Sequence, residues 1–159
     1  MNLTPAFVLL VVAIGYGTAT QVRKCQGGSR SIDELSKLVR VGNCKKPPCR
    51  LRKNSAIDVT LKFSPEFPVE SLKNSVTAAI VGVPFPFVGV DGEDACQNVF
   101  QEDGTTKAGC PLEAGKNYVY KNKIDVLQIY PNIKVVVHWG LTSPKGDVIC
   151  FEVPARITS

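Results

Sequence analysis

Lysine, arginine, aspartate and glutamate are absent from residues 1–20 of this chain. That stretch is instead an unbroken apolar run, Ala6 to Ile14, followed by the small residues of Gly15-Tyr16-Gly17-Thr18-Ala19-Thr20. The run is too short to span a bilayer, so it predicts an export leader cut after Ala19 or Thr20, with Thr20 preferred. Residues 1–20 are then the leader and 21–159 a single domain, large enough to bury a real core. No later segment has a long uncharged apolar run. The processed chain is therefore expected to be soluble and secreted, or held in a lumen such as the lysosome's. Glycosylation sequons are missing as well, since the only Asn-x-Ser/Thr, Asn2-Leu3-Thr4, lies in the leader.

Catalytic vocabulary is equally thin. His138 is the only histidine, and no Gly-x-Ser-x-Gly elbow occurs, so hydrolase chemistry has little to stand on. A lone histidine reads as a structural or surface residue. Zinc needs more ligands than His138 and the cysteine spacings supply. Asp91, Glu93 and Asp94 lie close together without the spacing of a calcium loop. No catalytic residue, metal or cofactor is assigned, and no enzyme is expected. Internal repeats and low-complexity tracts are absent too. The net charge of +5 points, in an exported chain, to anionic membranes or glycans and not to nucleic acid, although plain solubility explains it equally well.

Cysteine is what the chain does have: Cys25, Cys44, Cys49, Cys96, Cys110 and Cys150. An even count after a leader reads as a disulfide framework. Six cysteines allow 15 pairings, and sequence does not choose among them. Chain distance favours Cys44–Cys49 and Cys96–Cys110, which leaves Cys25–Cys150 to tie the ends. That last bridge would restrict the unfolded chain most, by roughly 4–5 kcal/mol on the loop-entropy account.

Alternation of period two recurs along the chain. Ile57, Val59, Leu61 and Phe63 share one strand face. So do Ile133, Val135, Val137, Trp139 and Leu141, and again Ile149, Phe151, Val153, Ala155 and Ile157. Tyr118 and Tyr120 mark a shorter strand, and Ser71 to Val81 a longer one. Turn signals such as Lys46-Pro47-Pro48, Asp91-Gly92 and Asp103-Gly104 fall between them. Short strands with regular turns predict an all-β sandwich. Ser31 to Val39 differs: a capping serine with an acid three residues on, and Ile32, Leu35 and Val39 at helical spacing, read locally as a helix.

Gly82-Val83-Pro84-Phe85-Pro86-Phe87 is wholly apolar, yet its two prolines exclude a central strand. Two aromatics on a stiff extended segment need an apolar partner, either the core of the protein or a ligand. Lys45, Lys46, Arg50, Arg52 and Lys53 crowd the Cys44–Cys49 hairpin. They read as an exposed basic hairpin or as a contact for acidic lipid.

The ordered set Cys44-Lys-Lys-Pro-Pro-Cys49, Gly82 to Phe87, Cys96, Cys110-Pro111, Tyr118-Val-Tyr120, Tyr130-Pro131, Val137-His-Trp139 and Cys150-Phe-Glu-Val-Pro154 resembles the ML lipid-recognition domain family, and its sterol carriers most. The resemblance runs from Cys25 to Ile157. It implies an immunoglobulin-like β-sandwich of about seven strands, two splayed sheets around an apolar lipid cavity, and strands rather than a helix over Ser31–Val41. It also implies the three disulfides that chain distance favours. The pocket mouth falls on Phe87, Val126 and Tyr130. Further lining positions are Val41, Leu51, Ile57, Val59, Phe85, Ile133, Val135, Trp139 and Phe151. The implied partners are a sterol such as cholesterol or another small hydrophobic lipid, met by a monomer. From the basic cluster and the net positive charge, Val81, Val83 and Lys53 are the expected contacts to anionic membranes or to a sterol-accepting membrane protein. The loop Gln97 to Gly109 is long for this resemblance and is expected to add charge near the pocket side.

Overall fold

Strict alternation becomes strand at every place where it was strongest. The computed structural model describes residues 19–28 and 30–159, so the leader expectation for residues 1–18 lies outside it. In chain order the described elements are β1 (Arg23–Lys24), α1 (Ile32–Leu38), β2 (Val39–Val41), β3 (Cys49–Arg52), β4 (Ser55–Phe63), β5 (Lys73–Ile80) and β6 (Val83–Pro86). A short 3-10 turn, Cys96–Asn98, leads into β7 (Val99–Gln101), then β8 (Tyr118–Val126), β9 (Lys134–Ser143) and β10 (Gly146–Thr158).

Two sheets result. One runs β1-β10-β9-β5-β6, with β3 added in parallel along β10; the other runs β2-β4-β8-β7. All other pairs are antiparallel. Short edge pieces raise the strand count from about seven to ten. The long β10 carries two of them on one edge: β1 pairs with Phe151 and Glu152, β3 with Ala155–Thr158. Pro154 falls in the gap between them, where a missing N–H leaves no ladder bond unmade.

The inward faces meet in one apolar cluster. Val59, Leu61 and Phe63 of β4 pack there with Val135, Val137, Trp139 and Leu141 of β9 and Ile149, Phe151 and Val153 of β10. All three disulfides form as expected: Cys25–Cys150, Cys44–Cys49 and Cys96–Cys110.

The strand expectation for Ser31 to Val41 is overturned. The strands implied for Ser31 to Val41 exist only over Val39–Val41, and Ile32–Leu38 is helix. The local signals win because they are complete. Ser31 Oγ accepts from the Glu34 N–H at 3.2 Å, and Leu35 is buried on the inner face. Arg30 clamps the first turn, reaching Glu34 Oε1 at 2.6 Å and the Ser64 carbonyl at 2.9 Å.

The long loop closes a sheet edge. Gln101 N–H donates to the Thr106 carbonyl at 2.8 Å and Ala108 N–H to that of Val99 at 3.0 Å, so the outer side of β7 is paired. Asp103 organises the return, accepting from the Thr105 and Thr106 N–H groups and the Thr106 hydroxyl. Led by that hydroxyl, these bonds hold its carboxyl down at about 2. Lys107 and Lys121 both lie over the Phe100 ring, 4.4 and 5.4 Å from its centroid. Since Val99 pairs with Tyr120, the loop sits about 20 Å along β8 from Val126. Its charge is remote from the expected mouth, contrary to the placement read from sequence.

Candidate functional site

The end of the sandwich that carries Phe87 is built by the β5–β6 hairpin. Its turn residues Val81 and Gly82 have φ of +50° and +79°, the left-handed pair that a two-residue hairpin turn requires. Pro84 and Pro86 keep β6 at the sheet edge. Beyond it, Phe87 N–H donates to the Val76 carbonyl at 3.0 Å, while the Phe87 carbonyl accepts from Val90 and Asp91. Asp91 in turn accepts from Val76 N–H at 2.7 Å. The Phe87 backbone is thereby fixed beside Val76, whose cross-strand partner is Trp139.

The facing wall comes from the other sheet. Val126 ends β8 opposite Ser55, and its carbonyl accepts from Asn54 N–H at 2.8 Å. Asn54 Nδ2 reaches Gln128 Oε1 at 2.7 Å, and Tyr130 N–H turns back to the Leu127 carbonyl at 3.2 Å. That turn brings the Tyr130 ring edge-on to Phe87, with centroids 5.8 Å apart.

Most of the expected lining set shares the inner space between the sheets. Val41, Leu51, Val59, Phe87, Val126, Val135, Trp139 and Phe151 are buried in the common cluster, with Ile57, Tyr130 and Ile133 half-buried against it. Phe85 departs from that set. Its register partner is the buried Ala78, which puts it on the inward side of the sheet, yet it is 49% exposed. On an edge strand nothing lies beyond it to cover the ring, so Phe85 stands at the rim and does not line the interior.

Around the rim the surface is apolar. Val81, Val83, Phe85, Val88 and Ile129 are all large and exposed. Val88 N–H donates to the Tyr130 hydroxyl at 3.4 Å, which joins the two halves of the patch. Val88 and Ile129 were not singled out from sequence. The only signal was their adjacency to Phe87 and Tyr130, because neither belongs to a periodic pattern. Lys53 sits half-buried in the turn beside Asn54 and Val126, while Lys45, Lys46, Arg50 and Arg52 are exposed.

Deeper in, a polar contact spans the sandwich. Tyr120 of β8 donates to Asn74 Oδ1 of β5 at 2.5 Å and accepts from Asn122 Nδ2 at 2.7 Å. Burial pushes the Tyr120 phenol above its ordinary range, against the opposing pull of these bonds. Its ring meets Trp139 edge-on at 6.1 Å.

His138 lies on the outer face of the other sheet, against the Cys25–Cys150 disulfide at 3.6–3.7 Å and 3.5 Å from Glu152 Oε1. The two sulfurs are spent on each other and offer no thiolate, so the trio of Cys25, His138 and Cys150 is no metal ligand set. Among the described residues no helix is long and apolar enough to cross a membrane.

The family model for the ML domain matches residues 19–157. The "NPC intracellular cholesterol transporter 2" of Canis lupus familiaris is 32% identical over 98% of this chain and 97% of that one. The "Ecdysteroid-regulated 16 kDa protein" of Manduca sexta is 35% identical over 69% of this chain and 70% of its own. A crystal structure of a Niemann-Pick type C2 protein from Japanese carpenter ant superposes with a TM-score of 0.63. It has 23% identity and covers 76% of this chain and 89% of that one.

Proposed function

The chain belongs to the ML domain family, and on that premise we propose that it is a non-enzymatic lipid carrier, secreted or luminal, that takes up a sterol between its two sheets. The observation that carries this reading is the junction of the inner apolar faces with an exposed apolar rim at one end, where Phe87 and Tyr130 meet. A protein that used its interior only as a core would have no reason to leave five large apolar side chains in water at that end. Covering roughly 400 Å² of apolar ligand would contribute on the order of 10 kcal/mol before association costs. Few polar contacts are then needed.

Cholesterol is the cargo printed in the name of the canine relative, and a sterol is proposed here on that likeness. A linear lipid, a fatty acid or a semiochemical-like molecule carried in extracellular fluid, or a microbial lipid recognised in immunity, is the second reading. Phe151 and Trp139 are both fully buried in the interior, and a thin chain displaces fewer of their contacts than a fused ring system does. Delivery is to an anionic membrane or a sterol-accepting membrane protein through the rim, with Val81, Val83 and Lys53 as contacts, and the carrier works as a monomer.

Delipidated protein should be titrated with a fluorescent sterol and with a fluorescent fatty acid, beside native mass spectrometry of protein from the producing organism. A bound sterol and tight sterol titration support the leading reading. A linear lipid in both assays replaces it with the second. Neither binding would remove the carrier function altogether.

A further inference from the structure

The outer edge of β2 is closed by a residue that the preferred leader cut would remove. Thr20 is 0% exposed. Its N–H donates to the Val39 carbonyl at 2.9 Å, and its Oγ1 accepts from Val41 N–H at 2.9 Å while donating to the Cys44 carbonyl at 2.6 Å. Those groups of Val39 and Val41 are the edge left free when β2 pairs with β4. Gln21 continues the contact, donating to the Lys45 carbonyl at 3.0 Å. Without Thr20 the edge would lose three partners beside the buried Val39 and Val41, where unpaired backbone groups are costly.

We propose that processing cuts the Ala19–Thr20 peptide bond, so that the working chain begins at Thr20 and its new amino terminus becomes a structural hydrogen-bond donor to Val39. This rests on the reading of the chain as exported. The residue types agree. Gly17-Thr18-Ala19 gives the small-x-small pattern that a leader peptidase reads, whereas a cut one residue later would present Thr18 and Thr20 instead. Hydrolysis consumes one water. Ala19 departs with the new carboxylate, and Thr20 keeps the amine, which at neutral pH is mostly an ammonium. An ammonium retains donors, and those not used on Val39 face the half-buried position that Ala19 vacates, so the bond to Val39 survives the cut.

The same geometry sets an order of events. The scissile bond adjoins a residue held by three hydrogen bonds, and Cys25, five positions on, is tied to Cys150. A peptidase needs its substrate extended in a cleft, and this segment reaches that state only when the β2 edge is open. Cleavage therefore precedes closure of that edge.

N-terminal sequencing and intact mass of the secreted protein should find Thr20 first. A chain starting at Gln21, or at any residue upstream of Thr20, overturns the proposal, and one that retains Met1 overturns the export reading with it. Refolded chains beginning at Thr20 and at Gln21 separate a structural role from a mere processing preference. The chain lacking Thr20 should melt lower by roughly 5 °C or more. Thr20→Val, which keeps the backbone donor and loses the hydroxyl, should fall between them. Equal melting of the first two would show that Thr20 does no structural work and would overturn that half of the proposal.

Discussion

Phe87 and Tyr130 meet edge-to-face between the two sheets at the apolar end of the sandwich, their centroids 5.8 Å apart and their planes at 86°. Phe87 follows β6 of one sheet, and Tyr130 follows β8 of the other. The contact is supported by one long hydrogen bond, from Val88 N–H to the Tyr130 hydroxyl at 3.4 Å. Such an aromatic pair contributes about 0.5–1.5 kcal/mol beyond the area it buries. That is small beside the stability of a whole domain, so this contact alone does not lock the end shut.

Shortening Tyr130 should therefore act on exchange before it acts on folding. Tyr130→Ala should raise the dissociation rate of a bound fluorescent lipid severalfold and lower the melting temperature by only a few degrees. Tyr130→Phe keeps the ring and should leave the rate within about twofold of the parent, given the small net worth of one long hydrogen bond. Stopped-flow release to excess acceptor vesicles reads both. Unchanged release in the alanine variant would mean the ligand leaves by another route.

Val81 is an unfavourable residue for the place it holds. It is β-branched at φ +50° and 96% exposed, so it carries backbone strain and gains no burial. Asparagine suits that turn position far better. Val81→Asn should raise stability by about 1 kcal/mol, a melting shift of a few degrees. If Val81 contacts a membrane, the same change should slow lipid transfer to vesicles. A stabilised variant with unchanged transfer would reduce Val81 to an ordinary turn residue.

The basic hairpin predicts a salt effect of its own. Transfer should accelerate when the vesicles contain anionic lipid and slow as salt rises from 0.05 to about 0.5 M, because screening shortens the reach of Lys53 and its neighbours. Rates indifferent to both would return that cluster to plain solubility.

Strands whose two faces differ in polarity were legible from the chain alone. In β9 and β10 the alternation of Val135 to Leu141 and of Ile149 to Ile157 is the pattern that the pleat imposes. Helix α1 was legible too, in its Ser31 cap and its spacing; the family resemblance pointed elsewhere, and the local capping chemistry prevailed. What pairs with what was not legible. The parallel addition of β3 to β10 joins Cys49 to Ala155 across more than a hundred residues, and nothing in either segment names the other. Eleven of the twelve expected lining residues do reach the interior or pack against it. The exposure of Phe85 depends on its strand being an edge, a property of sheet order that no local pattern carries.

Tyr120 makes a prediction in pH. Burial raises the folded-state value of its phenol above the ordinary 10.0, so above about pH 10 the unfolded chain loses this proton while the folded chain keeps it. The unfolded state then binds fewer protons, and stability falls as pH rises, by up to about 1.4 kcal/mol per pH unit from this group. Below pH 10 the contribution is constant. Tyr120→Phe removes the titration and also leaves the Asn74 amide oxygen without its donor. It should be less stable at pH 7 by about 1–3 kcal/mol and less sensitive to alkali between pH 10 and 11. Denaturant melts at paired pH values measure the difference, and parallel alkaline curves would show that Tyr120 does not titrate on unfolding.

Carboxylates at the mouth test where ligand and core divide. The family resemblance placed Phe87 and Val126 at the mouth of a cavity, which would leave the unliganded fold nearly indifferent to Phe87→Asp or Val126→Asp. Their burial, at 3% and 1% exposure within the common cluster, changes that expectation. An unpaired charge there costs several kcal/mol, so both variants should lose stability markedly as well as lose lipid binding by at least a hundredfold. Milder changes separate the two effects. Phe87→Leu removes the ring contact with Tyr130 and keeps an apolar side chain, at a cost to folding below about 1.5 kcal/mol. Val126→Ala opens space at the end of β8 for roughly 1–3 kcal/mol. Folded and melted alongside the parent, both should still weaken sterol or fatty-acid affinity about tenfold, because each removes apolar surface from the ligand's path. If these folded variants bind as the parent does, Phe87 and Val126 belong to the core alone and the lipid enters elsewhere.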